Sequence, residues 1–197
     1  MTEQVNYNLK KILLYVMIFL MKNEKMLLVS CCAPCSGGVI KLLAERHENF
    51  AVLFYNPNIR PLSEYEKRRD ENKRVCITYG VPFIELEYTP CVWDEATAGL
   101  LNEPERGKRC DVCFYLRLKR AAEYAKENGY TSFSSVLGIS RYKDFEQVCR
   151  AGQTASNEVG IPYDMTNWRK NGGEELRRAV ETEFNMYRQR YCGCKPR

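Results

Sequence analysis

Seven of the ten cysteines in this 197-residue chain lie in three short groups, which are the part of the sequence best suited to chemistry. The groups are Cys31, Cys32 and Cys35; Cys110 and Cys113; and Cys192 and Cys194. Thiolates are ligands of zinc and of iron–sulfur clusters, and each such centre takes at most four of them from the protein. Seven thiols at one place would therefore indicate a cluster with a second metal, or with a redox-active pair.

Two of the groups have local features that favour metal binding. Cys110 and Cys113 form a CxxC at the expected start of a helix, where both sulfurs lie on one face and the positive helix end favours thiolates. Gly193, between Cys192 and Cys194, allows the backbone to bend close to an inorganic centre. The spacing alone does not bring the three groups together, so their meeting at one site is a prediction.

The choice of metal is limited by the ligands that the chain lacks. His47 is the only histidine, which excludes His-rich zinc sites and disfavours Ser-His or Cys-His catalysis. Adjacent Cys31 and Cys32 suit a zinc knuckle poorly, so the ligands favour iron–sulfur over zinc and leave zinc as an alternative. Of the remaining cysteines, Cys76 and Cys149 are expected to be buried and to behave as small hydrophobic residues.

The composition is typical of a reduced, non-secreted globular protein. The cysteine content is below the ~8–10% of a disulfide scaffold, and no small-residue cleavage motif follows the apolar run at 12–21. That run is shorter than the ~17–25 residues that cross a bilayer, so no membrane association is expected. The net charge of +5 permits a polyanionic partner without requiring one. We predict a cytoplasmic protein with an N-terminal extension over 1–25 and a single catalytic domain over 26–197.

Strands and helices alternate from residue 26 onward, which predicts a three-layer α/β fold around a mostly parallel, Rossmann-like sheet of about five strands. A capping box, Ser63 with Glu66, is expected to start the second helix. Ligands bind such sheets outside the carboxyl ends of the strands, so the cysteine-rich loop 30–38 is the expected site. Predicted strands cover 26–30, 50–55, 81–86, 131–137 and 161–164, and predicted helices cover 36–48, 63–79, 109–128, 143–159 and 173–188.

Five motifs, in this order along the chain, resemble the epoxyqueuosine reductase family QueH. The resemblance covers about 26–195 and implies a Rossmann-like fold of the adenine-nucleotide-hydrolase type. For the three cysteine groups to meet, the cysteine-containing C-terminal tail has to fold back over the site. The motifs are SCCAPC at 30–35, Pro57-Asn58-Ile59 with Pro61, Glu64 and Tyr65, RCDVCF at 109–114 with Arg117-Leu118, SRYK at 140–143 and YRQRYCGC at 187–194.

The same resemblance implies a reaction, its cofactors and its partners. The epoxide of epoxyqueuosine, at the wobble position of certain tRNA anticodons, is reduced to the cyclopentene of queuosine in the last step of queuosine synthesis. The implied enzyme is a cobalamin-independent oxidoreductase with a [4Fe–4S] cluster and an adjacent mononuclear metal, iron or zinc. In some members the position of Cys35 is an aspartate that helps to hold the second metal. The implied partners are tRNA carrying epoxyqueuosine and an electron donor that the sequence does not identify.

Several residues then receive hypothetical roles. Asp111 is a candidate ligand or proton donor, although an Asp in the first turn of a helix is also an ordinary dipole-favoured cap. Tyr142 and Lys143 are candidates for positioning the substrate or donating a proton, and Lys143 equally suits a solvated helix start. The basic segment Arg106–Arg109 is the expected contact with tRNA phosphates. The cysteines expected to share the cluster and the metal are Cys31, Cys32, Cys110, Cys113, Cys192 and Cys194, with Cys35 beside them.

Two other functions fit parts of the sequence. Ser36-Gly37-Gly38 resembles the opening of the phosphate-binding loop of an ATP-using PP-loop tRNA thiolase. That motif continues with an Asp and a Ser, whereas Val39 and Ile40 follow here. The cysteines also fit a zinc-stapled nucleic-acid-binding module without catalytic activity. Dependence on ATP would indicate the first alternative, and zinc without iron or sulfide would indicate the second.

Overall fold

The computed structural model describes residues 24–194. The apolar run at 12–21 and nearly all of the expected N-terminal extension lie outside the described residues. Within the described part of the chain, none of the helices combines the length and the apolar character needed to cross a membrane.

Five parallel strands form the central sheet in the order β3-β2-β1-β4-β5. The middle strand, β1, pairs with β2 on one side and with β4 on the other, so that Met26 lies opposite both Phe50 and Ser132. Its residues Leu27, Leu28 and Val29 are fully buried, because helices cover both faces of a parallel sheet. The strands are β1 (Met26–Ser30), β2 (Phe50–Phe54), β3 (Phe83–Glu85), β4 (Ser132–Ser135) and β5 (Tyr163–Asp164).

Helices pack on both faces of this sheet, which confirms the predicted three-layer α/β architecture. Buried residues of α4 and α5 form one core with Leu27 and Phe133. Buried residues of α1, α2 and α6 form the other core with Leu28 and Val52. The helices of residues 24–194 are α1 (Ala33–Glu45), α2 (Leu62–Thr78), α3 (Pro90–Ala96), α4 (Lys108–Glu127), α5 (Phe145–Val159) and α6 (Gly173–Glu183).

The order of the strands reverses between β1 and β4, and this is the topological switch point of the sheet. The chain after β1 enters α1, whereas the chain after β4 passes through a short 3-10 turn, Leu137–Ile139, into residues 140–143. These two connections diverge from neighbouring strands and leave a cleft at the carboxyl edge. The fold therefore brings the first cysteine group and the SRYK segment to the same cleft.

Several details of the predicted elements are wrong, among them the start of the first helix, which is Ala33 and not 36, and the end of the last, which is Glu183 and not 188. The capping box does not form, because α2 begins at Leu62, after Pro61, so that Ser63 lies inside the first turn and not at the N-cap position. The helix expected from 143 begins only at Phe145, where the Asp144 carboxylate caps the first turn. The short helix α3 was not predicted; it spans Pro90–Ala96 and begins with a proline, which suits a first helical position.

The glycines of the Ser36-Gly37-Gly38 segment allow two helices to approach closely. A Cβ on Gly38 would stand 2.9 Å from the backbone of Arg177 in α6, and one on Gly37 would stand 2.8 Å from Met186 Cε. The Ser36 hydroxyl donates to Asn72 Oδ1 over 2.7 Å. This segment is thus occupied by helix packing, which disfavours its use as a phosphate-binding loop.

Candidate functional site

A cavity of about 470 Å³ opens at the carboxyl edge of the sheet. The loop after β1 and the C-terminal segment 189–194 face each other across it, so the tail folds back over the site as predicted. Residues 140–143 and the start of α4 complete its wall. Its lining includes Cys31, Cys32, Cys35, Cys192 and Cys194, with Arg68, Glu105, Arg109, Tyr142 and Lys143.

Two cysteines of the first group, Cys31 and Cys32, are neutral thiols. The Cys31 thiol donates to Cys32 Sγ over 3.8 Å, and this bond together with burial raises the pKa of Cys31 well above its ordinary value. For Cys32 the bond from Cys31 acts in the opposite direction, but the hydrogen bond to Cys35 and burial raise its pKa to about 12. These thiols would therefore release protons when they bind a metal.

The tail group is different because it contains a stabilised thiolate. Hydrogen bonding from Cys194 and the charge of Lys143 lower the pKa of Cys192 well below its ordinary value, despite burial. The Lys143 ammonium donates to Cys192 Sγ over 3.1 Å. Burial disfavours the charged form of Lys143, but the Cys192 thiolate outweighs that cost and raises the pKa of the lysine. Cys192 and Lys143 therefore form a half-buried ion pair beside the cavity.

The CxxC pair lies at the start of α4, and its two cysteines have different surroundings. Cys113 is buried with Cys194 and Trp93, behind the tail. Cys110 is half-buried and lines a small neighbouring pocket together with Phe114 and Lys143. Burial raises the pKa of Cys110, which is also close enough to Cys192 for their charges to interact. All three groups thus meet around Lys143, as the sequence predicted.

The donor set suits a thiolate-ligated group, although the sulfurs do not form a finished coordination shell. Among residues 24–194, no three His, Cys, Asp or Glu side chains stand in an arrangement that could hold a metal ion. The site contains seven cysteine side chains with positively charged side chains around them. Soft thiolates select zinc and iron–sulfur centres, and buried positive charge offsets the negative charge that several thiolates bring.

The three candidate catalytic residues occupy different positions. Lys143 is in the cleft, and Tyr142, 60% exposed, lies at its mouth with the Arg141 guanidinium 5.0 Å from its ring centroid. Asp111 is exposed on α4 and accepts a hydrogen bond from Gln147 Nε2 over 2.7 Å. It does not line either of the two cavities described above. Its position therefore supports the helix-start interpretation and not a role as ligand or proton donor.

Sequence reasoning missed the buried arginines around the thiols. Arg109 was expected on the phosphate-binding surface, but it is only 2% exposed, lines the cavity and donates to the Leu101 carbonyl over 2.7 Å. Arg117 is 1% exposed and donates to the Tyr55 carbonyl over 3.3 Å. The other two charged residues of the basic segment, Arg106 and Lys108, are exposed. A signal for their burial did exist, because Arg109 and Arg117 fall on the buried face of α4 with Cys113.

The two isolated cysteines that were predicted to be buried are in the core. Cys76 is fully buried in α2, and desolvation raises its pKa to about 12. Cys149 is buried in α5. Both lie away from the cleft, which makes them useful controls for substitutions of the grouped cysteines.

A family model described as epoxyqueuosine reductase QueH matches residues 26–195. The chain belongs to the epoxyqueuosine reductase QueH family. A protein named epoxyqueuosine reductase QueH from Acinetobacter baylyi is 46% identical over 172 residues, which are 87% of this chain and 79% of that protein. One of the same name from Haemophilus influenzae is 43% identical over 173 residues, 87% of this chain and 71% of that protein. As a member of the QueH family, the chain is related to oxidoreductases, which agrees with a cleft lined by thiols.

A solved structure supports the fold separately from the QueH family. It is the predicted subunit of a tRNA methyltransferase from Methanocaldococcus jannaschii, with a TM-score of 0.55 over 80% of this chain and 74% of that one. Its sequence identity of 13% is low, so the likeness concerns the fold alone.

Proposed function

We propose that this chain reduces the epoxide of epoxyqueuosine in tRNA to the cyclopentene of queuosine. The observation that carries the proposal is the meeting of three distant cysteine groups around Lys143, in one cleft of a QueH-family chain. Removing the epoxide oxygen as water takes two electrons and two protons. The reaction therefore needs a redox group, a proton source and a pocket that shields the reacting atoms from bulk water.

The cysteines are the residues that would hold the redox group. When bound, a [4Fe–4S] cluster supplies electrons one at a time and a neighbouring iron or zinc supplies a Lewis acid. An external electron donor must deliver both electrons. In this proposal Cys35 lies beside the ligands, and the ligands shared between the cluster and the metal are Cys31, Cys32, Cys110, Cys113, Cys192 and Cys194.

Two side chains of the cleft suit the remaining tasks. Lys143 holds a proton at Nζ, 3.1 Å from Cys192 Sγ, and is close enough to the cavity to transfer it to a developing oxyanion. Tyr142 offers an exposed ring at the mouth, where a splayed anticodon base can stack. Arg106 donates to the Arg141 carbonyl over 2.9 Å and to the Tyr142 carbonyl over 3.2 Å, which fixes the backbone beneath that ring.

Exposed arginines at the mouth provide the tRNA surface in this proposal. Arg106, Arg141 and Arg190 are all exposed near the cavity, and such residues dominate affinity for a phosphate backbone. We place the catalytic domain at 26–197, with 1–25 as an extension. We place the protein in the cytoplasm, where its thiols stay reduced.

Anaerobic reconstitution tests the proposal. The expected result is iron and sulfide bound to the wild-type chain, with conversion of epoxyqueuosine to queuosine in tRNA measured by nucleoside mass spectrometry. Cys110→Ala is expected to lower that conversion at least a hundredfold, while Cys149→Ala, a buried cysteine outside the cleft, keeps most of it. Bound zinc without iron or sulfide would instead support the nucleic-acid-binding module, and full activity of Cys110→Ala would contradict the ligand set.

A further inference from the structure

The C-terminal tail carries two of the grouped cysteines but has no regular structure of its own. Helix α6 ends at Glu183, and residues 187–194 form neither helix nor strand. Backbone carbonyls in such a segment need donors from elsewhere. The Gly193 carbonyl accepts from the Arg60 backbone N–H over 2.9 Å. The carbonyls of Tyr191 and Cys192 have a different donor, which is a side chain of α2.

That donor is the buried guanidinium of Arg68. Its Nη1 donates to the Cys192 carbonyl over 2.8 Å and its Nη2 donates to the Tyr191 carbonyl over 3.1 Å. The guanidinium also stacks on the Tyr191 ring, 5.3 Å from the centroid. One planar group thus donates hydrogen bonds to two successive carbonyls of the tail, a geometry that a lysine ammonium cannot reproduce.

Glu64 fixes the orientation of that guanidinium. Its Oε1 accepts from Arg68 Nε over 2.6 Å, and its Oε2 accepts from the Tyr187 hydroxyl over 2.8 Å. Arg68 is 3% exposed and Glu64 is 5% exposed. A buried ion pair gains little net stability, since desolvation offsets the attraction, and its better-attested use is to specify one geometry. The pair therefore touches the tail at Tyr187, Tyr191 and Cys192.

The same helix position is also connected to the first cysteine group. Asn72 Nδ2 donates to the Arg68 carbonyl over 2.7 Å, and Asn72 Oδ1 accepts from the Ser30 and Ser36 hydroxyls. Arg68 itself lines the cavity, and its charge acts on Cys32. Side chains from one turn of α2 thus hydrogen-bond both to the chain on either side of Cys31 and Cys32 and to the carbonyl of Cys192.

We propose that Glu64 and Arg68 are positioning residues that hold the Cys192-Gly193-Cys194 segment over the cleft. Neither contributes a ligand in this proposal; they set where the tail sulfurs stand relative to the first cysteine group. The contacts themselves involve no cofactor. The inference rests on the proposed function only for the reason why the tail sulfurs need to be placed there.

The test uses the metal-free full-length chain, so that it does not depend on the proposed reaction. We compare the rate of trypsin cleavage after Arg188 and Arg190, and the rate of iodoacetamide labelling of Cys194, in wild type and in Arg68→Lys. The expected result is at least a tenfold rise in both rates with the melting transition retained. Arg69→Lys, at a half-buried neighbour paired with Asp70, is the matched control and should behave as wild type.

Tyr187→Phe decides the outcome if Arg68→Lys does not fold. This substitution, at an exposed position, removes only the hydroxyl that donates to Glu64. It should raise both rates two- to fivefold. A second readout is the iron–sulfur absorbance after reconstitution, which should fall by at least half in Arg68→Lys. Wild-type rates in a folded Arg68→Lys, or in Tyr187→Phe when Arg68→Lys is unfolded, would overturn the positioning role of Glu64 and Arg68. Failure of wild type to bind iron would count against the proposed function and leave the cleavage result standing.

Discussion

Lys143 is the side chain on which the charge of the cleft depends. Its ammonium lies 3.1 Å from Cys192 Sγ, and after the hydrogen bond from Cys194 its charge is the main influence that keeps Cys192 a thiolate. In the proposed function, a cation in this position both prepares Cys192 as a ligand and keeps a proton beside the cavity. The sequence could name Lys143 from the SRYK motif, but not its partner, which lies 49 residues away in the chain.

Lys143→Met should raise the pKa of Cys192, because it removes the neighbouring positive charge and leaves the burial unchanged. The alkylation rate of Cys192 in the metal-free protein, followed by mass spectrometry across pH, reports the thiolate fraction. The pH midpoint of that rate should move upward by about one unit or more, and the rate at pH 7 should fall at least tenfold. Lys143→Arg keeps the charge and is the control. An unchanged midpoint in Lys143→Met would show that Cys192 does not depend on this ion pair.

The sheet and the helices that border it were largely predictable from sequence, and their ends were not. Short apolar runs gave β1 and β2 almost to the residue, because strands buried on both faces must be apolar throughout. Helix starts were predicted less well: α2 begins at Leu62, so that Ser63 lies inside the first turn and its capping box with Glu66 does not form. The gathering of cysteines could be expected from topology. The burial of Arg109 and Arg117 was missed although they share a helix face with Cys113, since a charge is expected to be exposed unless its partners are known.

The contact between α1 and α6 tests the interpretation of the Ser36-Gly37-Gly38 segment. Gly38→Ala places a Cβ 2.9 Å from the Arg177 backbone, so the helices must separate. We expect a loss of about 1–3 kcal/mol in the free energy of unfolding, measured with urea. Lys41→Ala, on the outer side of the same helix, should cost far less, because exposed pairs such as Lys41 with Glu45 contribute little. Wild-type stability in Gly38→Ala, with a rise in melting temperature on adding ATP, would favour a phosphate-binding loop.

Helix α6 also makes the fold sensitive to acid. Hydrogen bonding from Arg177 lowers the pKa of Glu174 from its ordinary 4.5 to about 2, and Arg177 donates as well to the Pro34 carbonyl of α1 over 3.2 Å. A carboxyl with a depressed folded-state pKa stabilises the fold above pH 4.5, and that stabilisation is lost as the pH falls toward 2. Glu174→Gln should therefore flatten this part of the stability curve by about 1 kcal/mol or less, since the pair is partly exposed. Glu175→Gln is the exposed neighbour for comparison, and an equal effect from it would argue against the Arg177 pair.

The whole chain has a net charge of +5. The distribution of the positive charge over the surface, more than its total, would decide where a tRNA binds. Several arginines are unavailable to phosphates because they are buried in the structure: Arg68, Arg109 and Arg117. Others are engaged in ion pairs, as Arg178 is with Glu174 on α6. In the proposed function, the exposed arginines at the cavity mouth are thus the ones that would meet the phosphate backbone while a base enters the cleft.

Arg190→Gln should weaken tRNA binding and reduce its dependence on salt. Each lost phosphate contact lowers the slope of log K against log salt by about one, because fewer counterions are released on binding. Filter binding with unmodified tRNA over a series of salt concentrations measures that slope without requiring a cofactor. Arg178→Gln changes the net charge equally, but lies on α6 and does not line the cleft, so its slope should match that of wild type. Equal slopes for the two variants would mean that tRNA responds only to overall charge, and the cleft mouth would then lose its assignment as the binding face.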